Sequence, residues 1–115
     1  MEKTPSVEPN VDRILRSLSD QESFYFYKDV GQPIGEKADS LVDFAKKIEK
    51  IDASSLEFHY YRGDFEKWFR NTLGDPVLVC LVSAKEPTTL KGEALRAFIK
   101  QQVRARFNDF KMSLS

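Results

Sequence analysis

A chain of 115 residues holds one domain of ordinary size, and with 41% hydrophobic and 12% aromatic residues it carries too much apolar matter to stay disordered. Its 18 basic and 18 acidic residues cancel, which argues against the overall basic character usual in a specific nucleic-acid domain, and no apolar run nears the roughly 18 residues of a membrane span. The single cysteine, Cys80, excludes an internal disulfide and fits a reducing cytosol.

The first nine residues contain Pro5 and Pro9 and no apolar periodicity, so 1–9 are expected to be a disordered tail. They hold no apolar stretch of the secretory kind, and a cytoplasmic protein is expected. Residues 10–112 then form one globular domain. Asn10 suits an N-cap, and Val11, Ile14, Leu15 and Leu18 recur at helical spacing, which predicts a short helix from Val11 to Leu18. Phe24-Tyr25-Phe26-Tyr27 predicts an extended aromatic segment with Phe24 and Phe26 on one face. Residues 28–33 have turn chemistry. A strand needs a partner and none is evident, so the alternative is an extended segment lying on a helical core.

The clearest helix is predicted over 36–51, with Ala38, Leu41, Val42, Ala45 and Ile48 on its apolar face and Phe44 at its border. Asp52 breaks it, and Ser54 with Glu57 reads as a capping box. Between Leu56 and Tyr61 the alternation suits a strand, whereas the cap favours a short helix ending at Gly63. Asp64 then reads as the N-cap of a helix from Phe65 to Leu73, with Phe65, Trp68, Phe69 and Leu73 facing the core. Asp75-Pro76 repeats a helix start. The run from Val77 to Val82 is β-branched enough for a buried strand, but the cap favours a short buried helix, and Cys80 within it is expected to be an inert buried thiol. Residues 87–89 read as a loop. A last helix is predicted from Gly92 to Phe110, with Leu95, Phe98, Ile99, Val103, Phe107 and Phe110 as its seam. The expected fold is mostly α: a small single-domain bundle of five or six helices with one short extended aromatic segment near residues 24–27.

No phosphate-binding glycine loop, nucleophile elbow or paired-cysteine zinc pattern is present, and no metal or cofactor is expected. The stretch that bears chemistry runs from Ser55 to Arg70 and holds the one His, the one Trp and the step Arg62-Gly63-Asp64. A helix there puts His59 and Arg62 on one face, with Asp64 close to both. A carboxylate beside an imidazole fixes its tautomer and steadies its cation, so His59 with Asp64 is a candidate general base. Arg62 is a candidate anion clamp, helped by the free N–H groups of the next helix. The same three residues also read as framework: a helix cap, a histidine bonded between helices, and an arginine covering the ring of Tyr61 or Trp68 or paired with Asp64. Tyr25, Tyr27, Tyr60, Tyr61 and Trp68 form either a stacking platform or part of the core. A cell-adhesion role for Arg-Gly-Asp has no support, since nothing suggests secretion.

Charge is unevenly spread, with a net of −4 over residues 1–57 and +4 over 58–115. Arg96, Lys100, Arg104 and Lys111 fall on a broadly shared stripe of the last helix, which is either a nucleic-acid surface or a solvated face.

Six blocks of the sequence also carry a likeness: Phe24-Tyr25-Phe26-Tyr27 with Gly35 and Ala38 following, Ser40-Leu41-Val42-Asp43-Phe44, Ser55-Leu56-Glu57-Phe58-His59, Arg62-Gly63-Asp64-Phe65-Glu66-Lys67-Trp68, Leu73-Gly74-Asp75 and Gly92-Glu93-Ala94-Leu95-Arg96. Together they resemble an uncharacterised family of small archaeal and bacterial domains, a domain of unknown function. The resemblance implies a mostly helical domain and marks the block from His59 to Trp68 as characteristic. It implies no activity, and Val77 to Val82 is more apolar than it would suggest.

The first functional expectation is a non-enzymatic module that binds a protein or small ligand through His59, Tyr61, Arg62, Asp64 and Trp68. The second is an acid/base or hydrolytic enzyme centred on His59, Asp64 and Arg62. The third is nucleic-acid association through the basic stripe. No membrane partner is expected, and the oligomeric state is open.

Overall fold

The structure, a computed structural model, describes residues 11–83 and 90–114. The tail expected over 1–9, the Asn10 cap and the loop at 87–89 lie outside the described residues. In chain order the elements are α1 (Val11–Ile14), β1 (Phe24–Asp29), β2 (Gln32–Ala38), α2 (Leu41–Ile48), α3 (Ala53–Arg62), α4 (Asp64–Lys67), a π-helical turn (Trp68–Leu73), α5 (Pro76–Val82) and α6 (Gly92–Leu114). This is the mostly helical single domain expected, with a difference at the aromatic segment.

That segment is the first strand of an antiparallel hairpin, and its partner is the stretch assigned above to turn and helix. Phe24 pairs with Ala38, Tyr25 with Lys37 and Tyr27 with Pro33. Three β2 residues, Ile34 to Glu36, therefore sit opposite the single Phe26, and Gly35 takes a φ of 78° to make that bulge. Pairing overrides local propensity here. The helix predicted from 36 starts instead at Leu41, where the Ser40 side chain accepts from Asp43 N–H at 3.0 Å. Ala38, placed by periodicity on a helix face, is a buried strand residue, and the helix ends at Ile48 rather than 51.

Several starts and stops follow the sequence, and some change hands. α1 closes after one turn, at Ile14 rather than Leu18. The segment from Leu56 to Tyr61 is helical, but Asp52 caps it, and Glu57 reaches Gly92 N–H at 2.7 Å instead of completing a capping box. The run from Val77 to Val82 is a helix because Asp75 Oδ1 accepts from Val77 and Leu78 N–H and Pro76 occupies the first turn. It is amphipathic rather than wholly buried: Leu78, Val79 and Val82 face the core, whereas Cys80 is exposed and not the buried thiol expected.

The core sits between the hairpin and the helices. Phe24 and Phe44 meet Phe65 and Trp68, and Phe44 also meets Phe69, with ring centroids 5–6 Å apart in tilted and edge-on arrangements, while Phe26 packs on Phe24 and Phe44. α6 packs across α2, α3 and α5 and buries Leu95, Ile99, Val103 and Phe110. Phe98 and Phe107, assigned to the same seam, are only partly buried.

Candidate functional site

α3 is wound so that Ser55 and His59, four residues apart, face the outer edge of β1. Ser55 Oγ donates to Tyr27 O at 2.7 Å, and His59 Nε2 accepts from Tyr27 N–H at 2.8 Å. Opposite Tyr27 the register places Pro33, which has no N–H to give, and Tyr27 turns both its backbone groups to α3. The other ring nitrogen, Nδ1, lies 2.8 Å from Asp64 Oδ2. Because Nε2 is an acceptor, the ring proton is on Nδ1 and points at the carboxylate.

Asp64 reaches that position because of Gly63. Gly63 ends α3 with a φ of 79° and donates its N–H to Tyr60 O, so the chain turns and re-enters a helix within one residue. Asp64 is thus the first residue of α4 and not its cap. Its carboxylate looks back at α3, where Oδ2 also accepts from Arg62 Nε at 3.1 Å. The Arg62 guanidinium lies 4.7 Å over the Phe58 ring, one turn back on α3, rather than over Tyr61 or Trp68. The triad expected from the sequence therefore assembles, with all three side chains joined through one carboxylate oxygen.

His59 is only 4% exposed and is packed edge-on to Phe24 and Phe58. Burial pushes its pKa below the ordinary 6.5 by disfavouring the cation. The hydrogen bond and charge of Asp64 oppose that shift, and Arg62 adds to it. Protonation would also place a proton on Nε2 against Tyr27 N–H. His59 is a neutral imidazole with both nitrogens engaged.

An open groove of about 530 Å³ lies beside this triad. Tyr25 and Tyr27 from β1, Phe58 from α3 and Trp68 give it aromatic walls, and Arg62 and Lys67 bring cations to it. Trp68 Nε1 donates to Glu22 O at 2.8 Å, which fixes the indole. The π-helical turn shapes the far side. Its wider winding brings Trp68 and Thr72 to the groove while Phe69 and Leu73 stay in the core. Val30 and Gly31, at the hairpin tip, complete it.

Of the five binding candidates, His59, Arg62, Asp64 and Trp68 line the groove and Tyr61 does not. Tyr61 donates its hydroxyl to Leu90 O at 2.7 Å, and the Tyr60 hydroxyl is bound inside to Val82 O. The tyrosines thus divide: Tyr25 and Tyr27 border the groove, and Tyr60 is core. Of the basic stripe, Arg96 is engaged inside the fold. Arg96 Nη1 donates to Ile48 O and Ile51 O at the end of α2, so its charge serves that helix terminus. Lys100 and Arg104 flank a second hollow of about 100 Å³ beside Glu49, and Lys111 is exposed on α6.

The lining residues missed from the sequence are Phe58, Lys67, Asn71, Thr72 and the hairpin tip. Asn71 and Thr72 follow Trp68 at helical spacing and were within reach of that signal. Val30 and Gly31 required the hairpin. Among the described residues no three His, Cys, Asp or Glu side chains gather as a metal-binding group, and no helix is long and apolar enough to cross a membrane. The resemblance named above rests on the sequence pattern alone: no family model, no curated protein and no solved structure matches this chain.

Proposed function

We propose that the domain is a non-enzymatic binding module whose ligand lies in the groove between the hairpin, α3 and the π-helical turn. The observation that carries this reading is the state of His59. A general base needs a lone pair within reach of a substrate proton, and the Nε2 lone pair of His59 is held by Tyr27 N–H. The triad acts as the floor fastening of a site that recognises rather than reacts. The groove volume of about 530 Å³ falls within the range of small-molecule sites, as does its mixture of rings with a few polar groups. A cytoplasmic location belongs to the same reading, since a lone cysteine suits a reducing compartment.

The test is a set of ¹H–¹⁵N correlation spectra of the full chain, recorded with neutral and charged aromatic fragments at millimolar concentration. Amide shifts centred on Val30, Gly31, Arg62 and Asn71 are expected. Val30→Glu, at an exposed hairpin position, should weaken them without altering the rest of the spectrum. Shifts that fall along α6 instead, or none with any fragment, would overturn the proposal.

A further inference from the structure

We infer that the ligand of this groove is a small planar aromatic molecule bearing an anionic group, a carboxylate or a phosphate, with its ring against the aromatic walls and its anion on Arg62. The inference rests on the reading of the groove as a binding site and adds the chemistry of what enters it.

The charged side chains lining the groove are Arg62, Asp64 and Lys67, and the imidazole of His59 is neutral. Two cations stand against one carboxylate. Asp64 Oδ2 already accepts from both His59 and Arg62. Lys67 is exposed and has no ion-pair partner among the described residues. A net positive charge remains for a ligand to meet.

The state of Arg62 is the second argument. Its side chain is 52% exposed, yet it is held from two sides: Nε donates to Asp64, and the guanidinium plane lies over Phe58. A long side chain normally loses much rotamer entropy when it grips a ligand. Here that ordering precedes binding. The bond to Asp64 uses Nε, and the terminal nitrogens of a guanidinium are the fork that suits a carboxylate or phosphate.

The walls supply the third argument. Tyr25, Tyr27, Phe58 and Trp68 present rings from three different elements around the same volume. Trp68 is anchored by its Nε1 bond and Tyr25 by its hydroxyl bond to Asp20 O at 2.7 Å. Rings fixed in this way favour a flat apolar body between them. The groove thus offers apolar walls and one cationic rim to a ligand with one apolar part and one anionic end.

Three probes of nearly equal shape test this: 2-naphthoate, 2-naphthyl phosphate and the uncharged 2-naphthamide. Each is titrated against the full chain, with the groove amides as the readout, and against Arg62→Gln and Lys67→Gln, both at exposed positions. At least one anion is expected to bind about tenfold or more tightly than the amide, the scale of a charge-assisted contact. Arg62→Gln should erase most of that preference, and Arg62→Lys should restore only part of it because it lacks the fork. A stronger naphthoate assigns the carboxylate and a stronger naphthyl phosphate assigns the phosphate. Equal binding of all three in the groove, or a preference that survives in Arg62→Gln, would overturn this inference and leave the binding module standing. Absence of groove shifts with all three would overturn this inference, and the binding module falls with it only if the wider fragment set also leaves the groove amides unmoved.

Discussion

The His59 ring makes one bond from each nitrogen, and the two bonds do different things. The Nε2 bond satisfies a strand N–H that has no partner in the sheet, and the Nδ1 bond holds Asp64 across the Gly63 turn. His59→Ala leaves Tyr27 N–H unpaired and opens space among Phe24, Phe58 and Phe65. The expected loss is about 2–4 kcal/mol, from the cavity and the orphaned donor together, read from urea unfolding at neutral pH. The same residue sets a pH dependence. In the unfolded chain it titrates near its ordinary 6.5, and in the folded chain below that value. Between those points the unfolded chain binds a proton that the folded chain does not, so stability rises with pH there. Its contribution is complete above about pH 6.5 and is lost as pH falls through the folded value. Urea midpoints followed downward from neutral pH should show this decline above the carboxylate range in wild type and not in His59→Ala. A flat wild-type profile would remove His59 as a buried neutral base.

At the scale of elements, the site depends on a turn of one residue. Gly63 holds a φ of 79°, and an added Cβ would meet nothing within 4 Å. The cost of Gly63→Ala is therefore conformational rather than steric, about 1–2 kcal/mol for a non-glycine residue in the left-handed region. Thermal unfolding should show that loss, and the His59 and Asp64 side-chain resonances should shift with it. This turn was legible in the sequence, as was the Asp75-Pro76 start, because both are local signals: a glycine that ends a helix, and a cap followed by proline. The meeting of His59, Arg62 and Asp64 was legible for the same reason, since six consecutive residues carry it. The hairpin was not. Its register joins Phe24 to Ala38 across a strand containing Pro33 and Gly35, two residues that local propensity keeps out of sheets. Ala38 fell on the periodicity of the following helix by coincidence. The far wall of the groove was hidden because the winding of Trp68–Leu73 depends on packing.

At the scale of the molecule, α6 is fastened by charged groups as well as by its apolar seam. Gly92 N–H meets Glu57, Arg96 closes the end of α2, and Arg106 reaches Asp75. The last pair is the most consequential. Asp75 is fully buried, caps α5 with Oδ1 and pairs with Arg106 Nε through Oδ2 at 2.8 Å, while the guanidinium lies over Phe110. Breaking a buried pair on one side strips a charge of its main partner, and Arg106 would then keep only its Nη1 contact to the half-exposed Asp109 at 3.3 Å. Asp75→Asn, which keeps a capping oxygen, is expected to destabilise by no more than the roughly 3–5 kcal/mol of a buried pair broken outright, since Asp109 still faces the guanidinium. Arg106→Met in the same chain should recover part of that loss by removing the under-paired buried cation. A double-mutant cycle in urea measures it, and strictly additive losses would show that the pair is not coupled.

The fastening of β1 to α3 bears on self-association. An open strand edge is a template on which another chain can add a strand, and the sequence Phe24-Tyr25-Phe26-Tyr27 would be an adhesive one. A fibril grows only when each strand accepts a neighbour on both sides. At Tyr27 one side is taken by β2 and the other by Ser55 and His59. The outer edge of the most aromatic stretch of the chain is thereby interrupted at Tyr27 for as long as α3 stays docked.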